Sequence, residues 1–369
     1  MSESTSGASN RSAFHEVQEA MGATFMEEGG WFWTMSFGDV EKEYNAIRSG
    51  VGVWDVSPLN KWDFRGPDAV KAAQRLNTND IEGLAVGQVR YGGFTDDDGL
   101  MTDDGTIYKL ADDHVWVMTN SDEHAEEFQD ATSDLDVTIA YVIHEMPHVA
   151  VQGPKSRETL QKVTAVDLAG IKYYWFIPER LKVSGIPVWL SRTGFSGELG
   201  FELFVDPANA PDLWQAMIDL GCVPYGTDAV EIARIESGMV VTDYDYEAHK
   251  LTPYDLSFDR LVKLERDFRG RDALRGVAEN PPRRLKALRL EGAEVPEYGA
   301  DVTKDGESVG TLTSPTSSPQ FGVIGIAILD AAAAGEGEKV EVAVGEKTTP
   351  ATVAAGNALY DPEKRKPRS

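Results

Sequence analysis

Residues 191–202 read Ser191-Arg192-Thr193-Gly194-Phe195-Ser196-Gly197-Glu198-Leu199-Gly200-Phe201-Glu202, which sets a carboxylate inside a glycine-framed turn. Glycine lets a backbone turn sharply and approach a neighbour closely. An ionised carboxylate presents two acceptors side by side, so Glu198 at the tip of such a turn suits a flat heterocycle with adjacent donors, such as the amino edge of a pterin. The same residues also suit an ordinary hairpin turn with a solvated Glu198. A second candidate is Asp103-Asp104, which follows the turn Asp96-Asp97-Asp98-Gly99. Paired carboxylates in a closed pocket shift each other's pKa and can handle a proton or hold a developing cation; on an acidic surface they are simply solvated. No metal site is expected, because Pro147 lies between His144 and His148 and keeps that pair off one helical face. No Gly-x-Gly-x-x-Gly follows a strand-like run, and Ser196 lacks the spacing of a hydrolase nucleophile elbow.

These groups need elements to hold them. Strand-type alternation covers Lys61–Arg65, and the runs Thr106–Leu110 and Val115–Thr119 predict a hairpin. Strand, glycine-rich turn and strand are expected from Val188 to Val205. Helical spacing predicts helices over Ser12–Met21 with a capping-box start at Ser12, over Asp39–Ser49, and over Asp68–Leu76 with Asp68 as cap. Further helices are expected over Glu123–Thr132, Lys155–Val163, Pro207–Leu220 and Asp228–Gly238. After Asn280-Pro281-Pro282 the texture changes to short β-type runs at 286–290, 308–313, 323–327 and 340–344, which read as a separate β barrel or sandwich.

Composition narrows the function. The 369 residues suffice for two or three domains, and 41% hydrophobic content is that of a globular chain. There are 61 acidic and 35 basic residues, a net charge of −26, which argues against a nucleic-acid or anionic-membrane partner. The acid is spread along the chain, as on a surface kept soluble in concentrated salt. Local basic residues such as Lys364-Arg365-Lys366 fall in a polar C-terminal stretch and read as solvated. The single cysteine, Cys222, excludes an internal disulfide and reads as a buried small hydrophobe. The start of the chain is polar and no run approaches roughly 18 apolar residues, so a cytoplasmic protein is expected.

The glycine-rich turn resembles the Thr-Gly-Tyr-Thr-Gly-Glu segment of the glycine-cleavage T-protein (aminomethyltransferase) family. Other segments resemble that family in its own order. They include Trp54-Asp55-Val56-Ser57, Arg65-Gly66-Pro67-Asp68-Ala69, Val89-Arg90-Tyr91 and Gly99-Leu100-Met101-Thr102-Asp103-Asp104. Downstream come Ala150-Val151-Gln152-Gly153-Pro154, Ala233-Arg234-Ile235-Glu236-Ser237-Gly238-Met239 and Asp267-Phe268-Arg269-Gly270. The resemblance implies an α+β clover-leaf of three parts: two interwoven mixed subdomains around a folate channel, and a C-terminal β barrel. The expected organisation is a disordered tail at 1–12, a folate-binding region at 13–280, the barrel at 281–360 and a polar tail at 361–369.

The resemblance also implies one-carbon transfer to tetrahydrofolate. On the matching positions, Asp103 is the implied catalytic group, Glu198 the pterin clamp, and Tyr91 packs beside the folate or serves as a core aromatic. Arg234 meets the folate carboxylates, or else forms a structural pair with Glu231 or Glu236. Asn120 lines the site. The strict form of the activity takes an aminomethyl group from a lipoyl-bearing H-protein. Trp31-Phe32-Trp33-Thr34-Met35-Ser36 and Ser57-Pro58-Leu59 depart from the family pattern, which keeps open a demethylase paralogue acting on a methylated amine, dimethylsulfoniopropionate or a methoxy-aromatic. Trp31, Phe32, Trp33 and Trp54 could wall such a donor. A non-catalytic folate-binding relative is the remaining alternative, and Cys222 does not sit in the element those relatives carry. The acidic surface makes one further prediction: the melting temperature rises between dilute buffer and molar potassium chloride, where like charges are screened. A melting temperature that fails to rise contradicts it.

Overall fold

The computed structural model describes residues 9–369. Two sheets form the body. One has six strands in the order Leu181–Val183, Ile186–Ser191, Gly200–Val205, His148–Gln152, Gly52–Asp55 and Val223–Pro224. The other has five antiparallel strands in the order Val89–Thr95, Met101–Ala111, His114–Thr119, Asn60–Arg65 and Thr138–Tyr141. Gly52–Asp55 and Asn60–Arg65 are neighbours in sequence yet belong to different sheets, so the two subdomains are interwoven.

Each sheet uses its two faces differently, as the two-residue period of a strand requires. In the six-stranded sheet, Val53, Val149, Val151, Leu203 and Val205 pack onto Leu213, Trp214 and Met217 of the helix Ala210–Asp219. Cys222 is buried at the rim of the same core, and burial pushes its thiol up to about 12, so it is inert packing. In the five-stranded sheet, Phe64, Phe94, Ile107, Val115 and Val117 pack onto the helix Ala69–Leu76 and onto Phe128 of the helix His124–Ala131. The opposite faces of the two sheets look towards each other. They touch where Tyr108 and Trp116 meet Phe204, with ring centroids 5.8 and 5.9 Å apart. Beyond this seam the facing sheets enclose a cavity.

The third part is a closed barrel of Arg283–Leu290, Gly322–Asp330, Glu307–Ser318, Ala300–Lys304, Lys339–Val344 and Lys347–Val353. Closure leaves no strand edge unpaired. Ala300–Lys304 and Lys347–Val353 escape the sequence reading because only Val302, and Ala351 with Val353, are fully buried; most of their other positions are polar. Arg234 ties the helix Thr227–Glu236 to the barrel: it pairs with Asp245 at 2.7 Å and with Glu231, and donates to Ser314 Oγ at 2.8 Å.

Residues at both ends of the described part contact the body. Residues 1–8 lie outside the described part, but Asn10 bridges to Trp31, and the Ser12 hydroxyl donates to Asp55. The same hydroxyl accepts from Phe14 N at 3.2 Å, just ahead of the helix His15–Ala20, whose start has no side-chain cap among the described residues. Asp68 likewise does not cap its helix but accepts from the Asp136 backbone at 2.9 Å. At the other end, residues 361–369 fold back on the body, with Pro367 buried. Its carbonyl accepts from Arg192 at 3.1 Å.

Candidate functional site

The cavity between the sheets has a volume of about 1840 Å³. That exceeds the roughly 300–1,000 Å³ that suits one drug-sized ligand, so it has room for two reactants.

On the five-stranded sheet, strand alternation separates the two adjacent aspartates. Asp104, Thr106, Tyr108 and the paired Tyr91 face the cavity. Asp103 faces the other way, into the core around Phe94. There it is held like a structural ion: one oxygen accepts from Asp104 N at 2.7 Å and Asn120 Nδ2 at 2.8 Å, the other from Asn120 N and Ser121 N at 2.9 Å and His124 Nε2 at 2.8 Å. Burial alone would drive the His124 proton off, but hydrogen bonds to Asp103 and Glu127 override it and lift His124 to about 9. His124 is therefore cationic at neutral pH. The sequence-derived catalytic position, Asp103, is thus a buried half of an ion pair and does not line the cavity.

Asp104 is the aspartate that does. Tyr91 donates to it at 2.8 Å, and the Tyr246 hydroxyl also donates. Burial, reinforced by the charge of Asp103, raises Asp104 to about 7, and the hydroxyl donors only partly oppose this. Its carboxyl group therefore sits near its titration point at neutral pH, as a group that takes up and releases charge during a reaction should. Asn120 also lines the cavity and fixes the strand by donating to the Asp104 carbonyl at 2.9 Å.

The facing sheet contributes Glu202, with Trp54, His148 and Phe204 on the same cavity side. Tyr108 at 3.1 Å and Thr193 both donate to Oε2 of Glu202, and Oε1 has no partner among the described residues. Burial raises the Glu202 pKa; the two hydroxyls and Lys61 pull it back. Lys61 is itself fully buried, its ammonium donating to the Ser57 carbonyl at 2.9 Å, and burial lowers it to about 7. His148 is neutral, because burial and then Lys61 hold its pKa well below 6.5. Two buried nitrogens on this wall, Trp54 Nε1 and His148 Nδ1, have no partner among the described residues. Buried polar atoms are normally paired, so these mark places for a ligand's polar groups.

Glu198 is elsewhere. It is buried against Arg48 at 3.3 Å, and the Tyr360 hydroxyl donates to it. Arg48 also pairs with Glu236 at 2.7 Å and donates to the carbonyls of Ser196 and Ala233, with the Tyr360 ring stacked over it at 3.9 Å. The glycines of the turn admit protein, not ligand: a Cβ on Gly194 or Gly200 would lie 2.1 or 2.2 Å from the Gln152 side chain. Thr193, Gly194 and Phe195 do face the cavity, whereas Glu198 and Arg234 do not. Of the four noted aromatics, Trp33 and Trp54 line the cavity; Trp31 instead packs against His144 and Phe32 against His15.

Sequence reasoning thus names Tyr91 and Asn120, names Asp104 only as one of a pair, and does not single out Glu202 and Tyr108 on the cavity wall or the buried Lys61 behind them. The available signal for Glu202 was its position as the one charge in the strand Gly200–Val205. A charge amid apolar neighbours in a covered strand implies a polar space on one face.

The His124–Asp103 pair makes a stability prediction. A folded-state pKa near 9 against 6.5 for the free side chain contributes roughly 3 kcal/mol. Because the folded value is the higher one, this stabilisation is full below about pH 6.5 and is lost as pH rises through about 9. His124→Gln should lower the melting temperature at pH 7 and flatten its fall between pH 7 and 10. A parental pH slope in the variant would contradict the ion pair.

Known proteins share this sequence and architecture. Residues 14–266 match the family model described as GCVT N-terminal domain, and residues 283–361 match that of the glycine cleavage T-protein C-terminal barrel domain. An aminomethyltransferase of Streptomyces avermitilis is 35% identical over 348 residues, covering 90% of this chain and 92% of the relative. A probable aminomethyltransferase of Haloarcula marismortui is also 35% identical, covering 90% of this chain and 93% of its own. The crystal structure of glycine cleavage system aminomethyltransferase T from Bartonella henselae superposes with a TM-score of 0.85 at 22% identity, over 95% of this chain and 98% of that one. That likeness establishes the clover-leaf fold.

Proposed function

The chain belongs to the glycine-cleavage T-protein family, and from that premise we propose that it is an aminomethyltransferase-type enzyme passing a one-carbon unit to tetrahydrofolate in the cavity between its two sheets. The observation that carries this reading is the pair of raised-pKa carboxylates, Asp104 and Glu202, presented to one cavity from opposite walls. The residues fit a reduced pterin. Glu202 Oε1 is a free acceptor for an amino edge among the described residues, the His148 and Trp54 nitrogens offer further polar contacts, and Phe204 beside them and Tyr91 on the opposite wall supply ring surface. When bound, tetrahydrofolate supplies the amine that accepts the carbon.

The protein's own part is positioning and charge. Tyr108 and Thr193 fix the Glu202 carboxylate, and Lys61 behind it favours the ionised form. Tyr91 and Tyr246 aim Asp104 at the interior of the cavity. Once ionised, Asp104 stabilises the positive charge that builds on the donor carbon as its bond to the leaving group opens; a fixed carboxylate in a dry site does this without reorganising. The buried Asp103–His124 pair behind the strand holds that geometry.

The donor in the strict reading is the aminomethyl group of a lipoyl-bearing H-protein. A second reading, a free methylated cation as donor, is favoured by Trp33, whose ring lies 6.4 Å from that of Trp54 on the cavity wall. The two are separated by supplying tetrahydrofolate with loaded H-protein, methylated glycines, dimethylsulfoniopropionate or methoxybenzoates, and identifying the folate product by mass spectrometry. With the active donor, turnover should rise with pH through about 7 as Asp104 ionises. Asp104→Asn should cost about 10²–10³ in kcat and abolish that limb, with folate still bound. Parental turnover in Asp104→Asn would remove Asp104 from the chemistry, and no folate product from any donor would overturn the enzymatic reading.

A further inference from the structure

Asp104 is held by more than its own sheet. The loop that follows the helix Thr227–Glu236 lines the cavity with Met239, Val240, Val241 and Tyr244. It turns tightly. Asp243 N donates to the Tyr246 carbonyl and Asp245 N to the Val241 carbonyl, both at 2.8 Å, and Asp243 takes a left-handed φ of 70°. The turn sets the hydroxyls of Thr242 and Tyr246 2.9 Å apart, and both residues are buried. Asp245 anchors it: its carboxylate pairs with Arg234 at 2.7 Å and accepts from Ser314 of the barrel at 2.7 Å. The loop is thus fixed to the helix and the barrel, while its hydroxyls reach the five-stranded sheet.

Thr242 stands between the two aspartates. Its Oγ1 lies 3.1 Å from Oδ1 of Asp103 and 3.3 Å from Oδ1 of Asp104, although the two side chains leave opposite sides of their strand. A hydroxyl has one proton to give and two lone pairs to receive with, and its hydrogen is free to rotate. Asp103 Oδ1 already accepts from Asp104 N and Asn120 Nδ2, so it does not depend on Thr242. Asp104 Oδ1 has Tyr246 as its other donor, and its Oδ2 has Tyr91. With Asp104 ionised, the Thr242 proton adds a hydrogen bond to a charged acceptor, which is stronger than one to a neutral acceptor. With Asp104 protonated, the same hydroxyl can turn, accept from the carboxyl group and donate to Asp103. Asp104 keeps a partner in both states, which a buried polar group requires.

We propose that Thr242 is a positioning residue for Asp104: its hydroxyl turns between the two carboxylates, donating to Asp104 when that group is ionised and to Asp103 when it is protonated. The site then keeps one geometry while Asp104 changes charge. The inference rests on the reading of Asp104 as the group that faces the reacting one-carbon donor. The surrounding groups are accounted for on every side. Burial keeps Tyr91, on the neighbouring strand, and Tyr246, on the loop, well above the ordinary tyrosine value. His124, on the helix behind Asp103, stays cationic at about 9, with Glu127 as its second partner. On the outer side of the loop, partial burial and then the charge of Asp103 raise the carboxyl of Asp243.

The test reads the Asp104 carboxyl group itself. An infrared pH titration of the full chain follows the carbonyl stretch of the protonated acid, assigned by its loss in Asp104→Asn. The parental midpoint should lie at about 7, and Thr242→Val should raise it by about one pH unit, because the ionised form loses a donor. Thr242→Ala removes the hydroxyl without a branched replacement and should give the same rise. Thr242→Ser, which keeps the hydroxyl, should hold the parental midpoint. Melting curves check that each variant folds. An unmoved midpoint in a folded Thr242→Val or Thr242→Ala, or a midpoint in Thr242→Ser that rises as far as in Thr242→Val, overturns the proposal. With an active one-carbon donor, the pH limb of turnover should move together with the infrared midpoint. A midpoint that moves while the limb stays supports the role of Thr242 and removes Asp104 from the chemistry, so the two readings fail separately.

Discussion

Two residues adjacent in a β-strand cannot share a face, and the working of this protein rests on that constraint. Asp103 and Asp104 stand side by side in sequence and point to opposite sides of the strand, with Thr242 Oγ1 within 3.1 Å of one carboxylate and 3.3 Å of the other. Asp103 meets a cationic histidine and a row of donors; Asp104 meets tyrosine hydroxyls and open space. The arrangement is economical in charge. His124 and the backbone hold the Asp103 carboxylate in place, and its charge adds to burial in lifting Asp104 to about 7. A carboxylate poised at neutral pH is made from two groups with opposite duties.

The second sheet repeats the logic with different parts. Glu202 is raised by burial and steadied by Tyr108, which reaches across from the first sheet, so the two walls are joined by the hydrogen bond that also aims the carboxylate. Outside this cleft a buried cluster is structural. Arg48 gathers Glu198, Glu236, two carbonyls and the Tyr360 ring, and so joins the helix Val40–Ser49, the glycine-rich turn, the helix Thr227–Glu236 and the end of the barrel. Buried pairs of this kind cost desolvation and contribute little net stability, but removing one partner leaves a charge stranded, and that penalty fixes the three parts relative to one another.

Much of this was legible in the sequence, and the failures have physical causes. Element types followed from periodicity, as in the helix Val40–Ser49, where Asp39 accepts from Lys42 N as the cap. The site was less legible. Alternation says that Asp103 and Asp104 point apart, but which side is the cavity depends on the helix His124–Ala131 packing behind the strand, a contact made 21 residues further on. Glu198 was drawn to the ligand by its glycines, whereas those glycines make room for Gln152, a residue on another strand. Arg234 finds both expected and unexpected partners: Glu231 one helical turn away could be foreseen, Asp245 and Ser314 could not. The C-terminal residues Lys364-Arg365-Lys366 are exposed, as composition suggests, while the buried Pro367 beside them is held by Arg192, a side chain of the glycine-rich segment.

The central claim is that Glu202, not Glu198, receives the ligand. Its most direct test is to titrate a stable reduced folate into the parent, Glu202→Gln and Glu198→Gln, and compare dissociation constants. A charge-assisted hydrogen bond contributes about 1.5–3 kcal/mol, so Glu202→Gln should weaken binding roughly 10- to 100-fold, with Glu198→Gln remaining at the parental value. The reverse ranking would contradict the account, because it would mean that the cleft between the two sheets is not where the ligand is held.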